Sequence, residues 1–245
     1  MKEKELSLYL LFIMISVLAL VPGCSEKSSV DPHPGSLIEA KTAALSVDDY
    51  SLHHNTQVQR LVANEGHSDS PKTDLIEKFS SLVEKMDADH PEMAGNPSQV
   101  ANSREILPTL VHLDGRGHPP LEVFSLLQRS RSEFESRHEV HPEISEGLDS
   151  ATGLLIKRDF SGLSQHLQNL KILTDRIGSE DQKCVVGVLQ GSFMRAQQAK
   201  SDPWYWPWVI IYDFIGSMIG GSNISALFSG WAEMALRDIP FPGSF

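Results

Sequence analysis

His53-His54-Asn55 is the place in this 245-residue chain where side chains able to move a proton stand beside one able to orient them. A neutral imidazole can act as a base or a ligand, and a neighbouring amide can fix its tautomer. No nucleophile stands at a defined offset, so the pair does not specify a reaction. The plainer reading has one histidine and Asn55 bonding helix ends inside a core. Asp213 is a second candidate, the one formal charge between Trp204 and Ala232.

The other histidines offer less. In His138-Glu139-Val140-His141 the imidazoles are three apart, not four, and Pro142 follows directly. A helical metal motif needs both on one continuous face, so a solvated helix end is expected instead. His112 and His118 flank a Gly-Pro loop, while His33 and His67 fall in polar stretches. The sequence contains no serine elbow, phosphate loop, dinucleotide fingerprint or paired-cysteine motif. Neither a metal nor a cofactor is expected.

Helical periodicity runs through almost the whole body, with no convincing strand alternation. Leu75, Ile76, Phe79, Leu82, Val83 and Met86 recur at helical spacing, and charges cover the opposite face. This pattern predicts a helix over 73–86 with Thr73 as its N-cap. Phe160, Leu163, Leu167, Leu170, Thr174 and Ile177 step by three and four, predicting a helix over 161–177 that packs against its neighbours. Further helices are expected near 98–111, 120–138, 143–157 and 180–199. Ser46 is placed to cap one that runs through Tyr50, Val58 and Leu61. The fold class is therefore all-α, an orthogonal or bundle-like packing of seven or eight helices. Asp114-Gly115-Arg116-Gly117 with Pro119 and Pro120 marks a firm break. Cys184 lies in an apolar helical pattern and reads as a small buried hydrophobe.

The segment 204–232, WYWPWVIIYDFIGSMIGGSNISALFSGWA, differs from the rest. Gly216 and Gly220 form a GxxxG, a spacing that lets helix backbones approach closely. Tryptophans stand at both ends, Trp206 and Trp208 among them. Two arrangements compete. One is a buried hairpin over 204–236, turning near Gly220-Gly221-Ser222-Asn223. The other enters a membrane with its tryptophans at the interface. Ser217, Ser222, Asn223, Ser225 and Ser229 make the stretch polar for a span, and Asp213 would be costly in hydrocarbon. The hairpin is the expectation.

At the other end, Leu6 to Pro22 is almost wholly apolar, preceded by Lys2 and Lys4 and closed by Val21-Pro22-Gly23-Cys24. The run is short for a span and fits an export signal better. Its end resembles the lipobox of bacterial lipoproteins. That resemblance implies a signal peptide over 1–23, cleavage before Cys24, and lipidation of Cys24. Ser25 after the cysteine, by likeness to envelope-sorting rules, points to an outer rather than an inner membrane. Residues 24–36, rich in Pro and Ser, read as a flexible tether. Residues 37–245 then form one helical domain. Two or three acyl chains would hold such a protein at a bilayer, at about 0.8 kcal/mol per buried methylene.

The net charge of −11 argues against nucleic acid, whose binding needs clustered Lys and Arg. Two stretches together resemble uncharacterised helical lipoproteins and hypothetical proteins of Bacteroidetes-type bacteria. These are His53-His54-Asn55 with Val58 downstream, and the tail series Ser192, Tyr205, Trp206, Trp208, Asp213, Gly216 and Gly220. The resemblance implies a helical fold and no assigned reaction. The expected function is a membrane-anchored lipoprotein with a helical binding or structural domain, its partner an envelope protein or glycan. The alternatives are a membrane-active or pore-associated protein acting through 204–232, and a histidine-dependent hydrolase or metal enzyme around His53 and His54.

Overall fold

The computed structural model describes residues 44–65, 71–94, 97–110, 122–199 and 205–237. The signal, tether and Cys24 lie outside the described residues, as do His33, His67, His112, His118 and the Gly-Pro break. Among the described residues there are eight α-helices and no strand: α1 (Val47–Glu65), α2 (Pro71–Asp89), α3 (Pro97–Leu110), α4 (Glu122–Arg137), α5 (Pro142–Ile156), α6 (Phe160–Ile177), α7 (Glu180–Gln198) and α8 (Trp206–Arg237). A short 3-10 turn, Pro91–Met93, follows α2.

Local chemistry sets the helix starts. The Ser46 hydroxyl accepts from the Asp49 N–H at 3.2 Å, and the Asp49 carboxylate accepts from the Ser46 N–H at 2.8 Å. This reciprocal pair is a capping box with Asp in the Glu position. Ser179 and Gln182 form another at α7, and Asp159 accepts from Gly162 N–H at 2.9 Å to start α6. Helices α2, α3 and α5 instead open on proline, which lacks the N–H that a first turn leaves unpaired. The helix expected from Thr73 therefore begins two residues earlier, at Pro71, and Thr73 lies within its first turn.

Packing follows the apolar stripes. Phe79, Val83 and Met86 of α2 are buried, as are Leu163, Leu167, Leu170 and Thr174 of α6. Helices α1, α7 and α8 form the most closely packed group. Helices α2, α3 and α4 lie against α8, while α5 pairs with α6, which packs on α7. Small residues permit the tight centre. A Cβ on Gly187 would come within 2.5 Å of the Val47 carbonyl oxygen, and one on Gly191 within 2.9 Å of that of Ser51.

The C-terminal helix is a hairpin. Gly221, at φ 80° and ψ −164°, breaks α8 into arms 206–220 and 222–237. The arms touch: a Cβ on Gly216 would lie 2.7 Å from the Ser225 Cα, and the Ser225 hydroxyl donates to the Asp213 carbonyl at 2.8 Å. Tyr212 and Trp231 meet edge to face at 6.2 Å. Phe214, Ile215, Leu227 and Phe228 are fully buried. Each such side chain contributes about 1.5–3 kcal/mol relative to exposure. The hairpin is thus the centre of the core, with the amphipathic helices as its cover.

Candidate functional site

Two of the candidate residues of α1, His53 and His54, turn inward on the same buried face as Gln57, Val58 and Leu61, and Asn55 is half-buried beside it. The two histidines enter separate polar networks. His54 and Asp213 are both fully buried, with Nε2 and Oδ1 3.6 Å apart. That is ion-pair distance, outside hydrogen-bond range. The Ser192 hydroxyl of α7 donates to the other oxygen, Asp213 Oδ2. Asp213 therefore links α1, α7 and the first arm of α8.

The order of these groups decides what they can do. In a Ser-His-Asp triad the imidazole stands between hydroxyl and carboxylate and takes the hydroxyl proton. Here the carboxylate stands between, and Ser192 gives its hydrogen to Asp213. Ser192 is 1 % exposed, and His54 and Asp213 are 0 % exposed. No substrate atom has access to the hydroxyl in this arrangement. The cluster joins helices; it does not generate a nucleophile.

His53 enters the second network. Its Nε2 lies 2.7 Å from Asn223 Oδ1, and Asn223 Nδ2 donates to Asp87 Oδ1 at 2.7 Å. An ionised carboxylate only accepts, so the Asn223 amide must face it with its NH2. The Asn223 oxygen then faces His53, which assigns the ring hydrogen to Nε2. Burial holds the His53 imidazole below the usual histidine range, with the Asn223 bond working the other way and His90 and His54 adding to the depression. The His53 and His90 rings meet edge to face at 4.6 Å.

Asn55 faces α7, donating to the Gly191 carbonyl at 3.1 Å. Trp206 is buried under the Arg195 guanidinium, which lies 6.0 Å from its ring centre and pairs with Glu233. The structure thus brings His54 and Asp213 together, and sets His53, Asn55 and Trp206 in three other contacts. His138 and His141 flank the break between α4 and α5. His138 Nδ1 pairs with Asp181 at 2.9 Å, and His141 sits at the N-cap of α5. Among the described residues no group of three or more His, Cys, Asp or Glu is arranged to hold a metal ion.

Sequence reasoning did not single out Asn223, Asp87 or His90, and it noted Ser192 only on one face of the helix over 180–199 and within a resemblance. Asn223 read as a turn residue beside two glycines, and its full burial was the missing fact. A usable signal existed: polar side chains scattered through an otherwise apolar segment must find partners, since burying them unbonded costs roughly 1–3 kcal/mol each. No family model, curated protein or solved structure matches this chain.

Proposed function

We propose that this protein is a lipid-anchored envelope protein whose helical body binds or scaffolds a partner and performs no chemistry at its histidines. The observation that carries this reading is the burial of Ser192, Asp213 and His54 in the seam between α1, α7 and α8. Their polar atoms face one another across the helix packing. The lipobox-like stretch ending at Cys24 supports the anchor. Among the described residues no helix is long and apolar enough to cross a membrane.

Insertion of 204–232 into a bilayer is the less favoured reading. Each arm of the hairpin is about 22–24 Å long at 1.5 Å per residue, against roughly 30 Å of hydrocarbon. The first arm also carries Asp213 near its middle, and the Ser192 hydroxyl that donates to one of its oxygens is met only inside the fold.

Cys24→Ala tests the anchor. Wild-type protein should incorporate labelled palmitate and fractionate with membranes, and the variant should do neither. Label on the variant, or none on the wild type, overturns the proposal. For the binding role, crosslinking in intact envelopes should return a specific protein or glycan. Hydrolysis of an ester or peptide substrate that is lost on His54→Ala would overturn the non-catalytic reading.

A further inference from the structure

We propose that the His53–His90 contact is an acid-opened latch that clips the turn Pro91–Met93 onto α1 and α7. The turn is held at two points. Met93 is buried among Tyr50 of α1 and Cys184 and Val188 of α7. Three residues earlier, His90 sets its ring edge to face against His53 at 4.6 Å. His90 is one-third exposed and has Nδ1 3.3 Å from Glu92 Oε1. His53 is 8 % exposed, with its Nε2 hydrogen committed to Asn223.

The one counter-charge acting on His53 is Glu92, a lesser influence than burial, and its carboxylate is bonded to His90. On its own helix the next residue is His54, whose neighbour across the seam is Asp213. From the end of α2 come His90 and Asp87, and Asp87 reaches His53 only through the Asn223 amide. Glu92 of the turn bonds His90 instead. The charged groups of α6 and α7 that meet α1 serve its first turn: Lys171 pairs with Asp48, and Glu180 accepts from Tyr50. A proton on His53 would therefore sit in a buried place beside a second imidazole, without a carboxylate in direct contact.

Opening removes that penalty. Burial holds the imidazole below its ordinary range while the latch is closed. Once open, it takes a proton at about pH 6.5 like any exposed histidine. A depressed base stabilises the closed form fully above that pH. The advantage is lost progressively as pH falls towards the closed-state value, by up to about tenfold in the opening equilibrium per pH unit. The turn and the last turn of α2 should be released together, because His90 joins them and its N–H bonds the Met86 carbonyl.

Hydrogen exchange on full-length protein in detergent, corrected for intrinsic rates, tests this at pH 7.5 and pH 5. Exchange across 86–94 should rise about tenfold at the lower pH, with α5 and α6 unchanged. In His53→Gln, which keeps an N–H for Asn223 and cannot titrate, the rise should vanish. Equal protection of 86–94 at both pH values in the wild type overturns the proposal, as does a rise that survives in His53→Gln. A separate readout guards against a misfolded variant. In His90→Gln the His53 ring resonance should titrate at higher pH than in the wild type, and an unchanged titration refutes the pairing.

Discussion

Gly221→Ala isolates the hairpin turn better than any other single change. The backbone at Gly221 has φ 80° and ψ −164°, a region open essentially to glycine alone. An added Cβ meets no atom within 4 Å, so any effect comes from the backbone and not from a clash. Forcing alanine there costs about 1–3 kcal/mol. Reduced freedom of the unfolded chain returns about 0.4–1 kcal/mol. At the middle of both ranges the net loss is about 1.3 kcal/mol, read as a lower urea midpoint at unchanged slope. Gly153→Ala is the matched control. That site is also free of contacts but lies within helix α5, so alanine there should raise stability by about 0.4–1 kcal/mol. Gly221→Asn adds a check, since Asn tolerates the left-handed helical region near ψ +47° but not ψ near 180°. It should fail to restore stability. A Gly221→Ala protein as stable as wild type, or rescue by Asn, would mean that the arms are joined by a different turn.

Two further outcomes follow from the buried residues. Asp213→Ala leaves the buried Ser192 hydroxyl without its acceptor and removes the carboxylate that faces His54, and should destabilise by about 1–3 kcal/mol. A double-mutant cycle with His54→Leu should return a coupling of at least ~0.5 kcal/mol, and strict additivity would dismiss the pair. The Cys184 thiol is pushed up to about 12, chiefly by burial. In a Cys24→Ala background it is the sole thiol, and at pH 8 it should resist a disulfide reagent until denaturant is added; prompt reaction in the native protein would contradict the burial of Met93 and Cys184 against one another.

Much of the fold was legible because helix signals are local. The expected stretches 98–111, 143–157 and 180–199 agree to within a residue at each end with Pro97–Leu110, Pro142–Ile156 and Glu180–Gln198. The stripe from Phe160 to Ile177 also lies where its spacing put it. Ser46 caps α1 as its type and position indicated. The start of α2 was misplaced because two start signals compete there, and proline at the first helical position prevailed over Thr73 as a cap. The hairpin, too, was readable from its paired glycines and the polar residues at its centre.

The site was less legible, for a reason of distance along the chain. His53 and His54 stood out by type, but nothing adjacent to them named a partner. Their burial depends on how α1 meets α7 and α8, and on Gly187 and Gly191 permitting that approach. Asp213 was conspicuous as the lone charge of an apolar run, and its need for a partner could be inferred. Which partner it found could not.

Sequence alone indicated most of the helices, the Ser46 cap and a turn near Gly220-Gly221-Ser222-Asn223, because each rests on residues within a few positions of one another. Tertiary structure alone decided that His53 bonds a side chain 170 residues away and Asp87 one 136 residues away. It likewise set the carboxylate of Asp213 between Ser192 and His54. Contacts of that separation are fixed by the packing of whole helices around the buried hairpin, and the order in which three polar groups meet there separates a helix clamp from a catalytic triad.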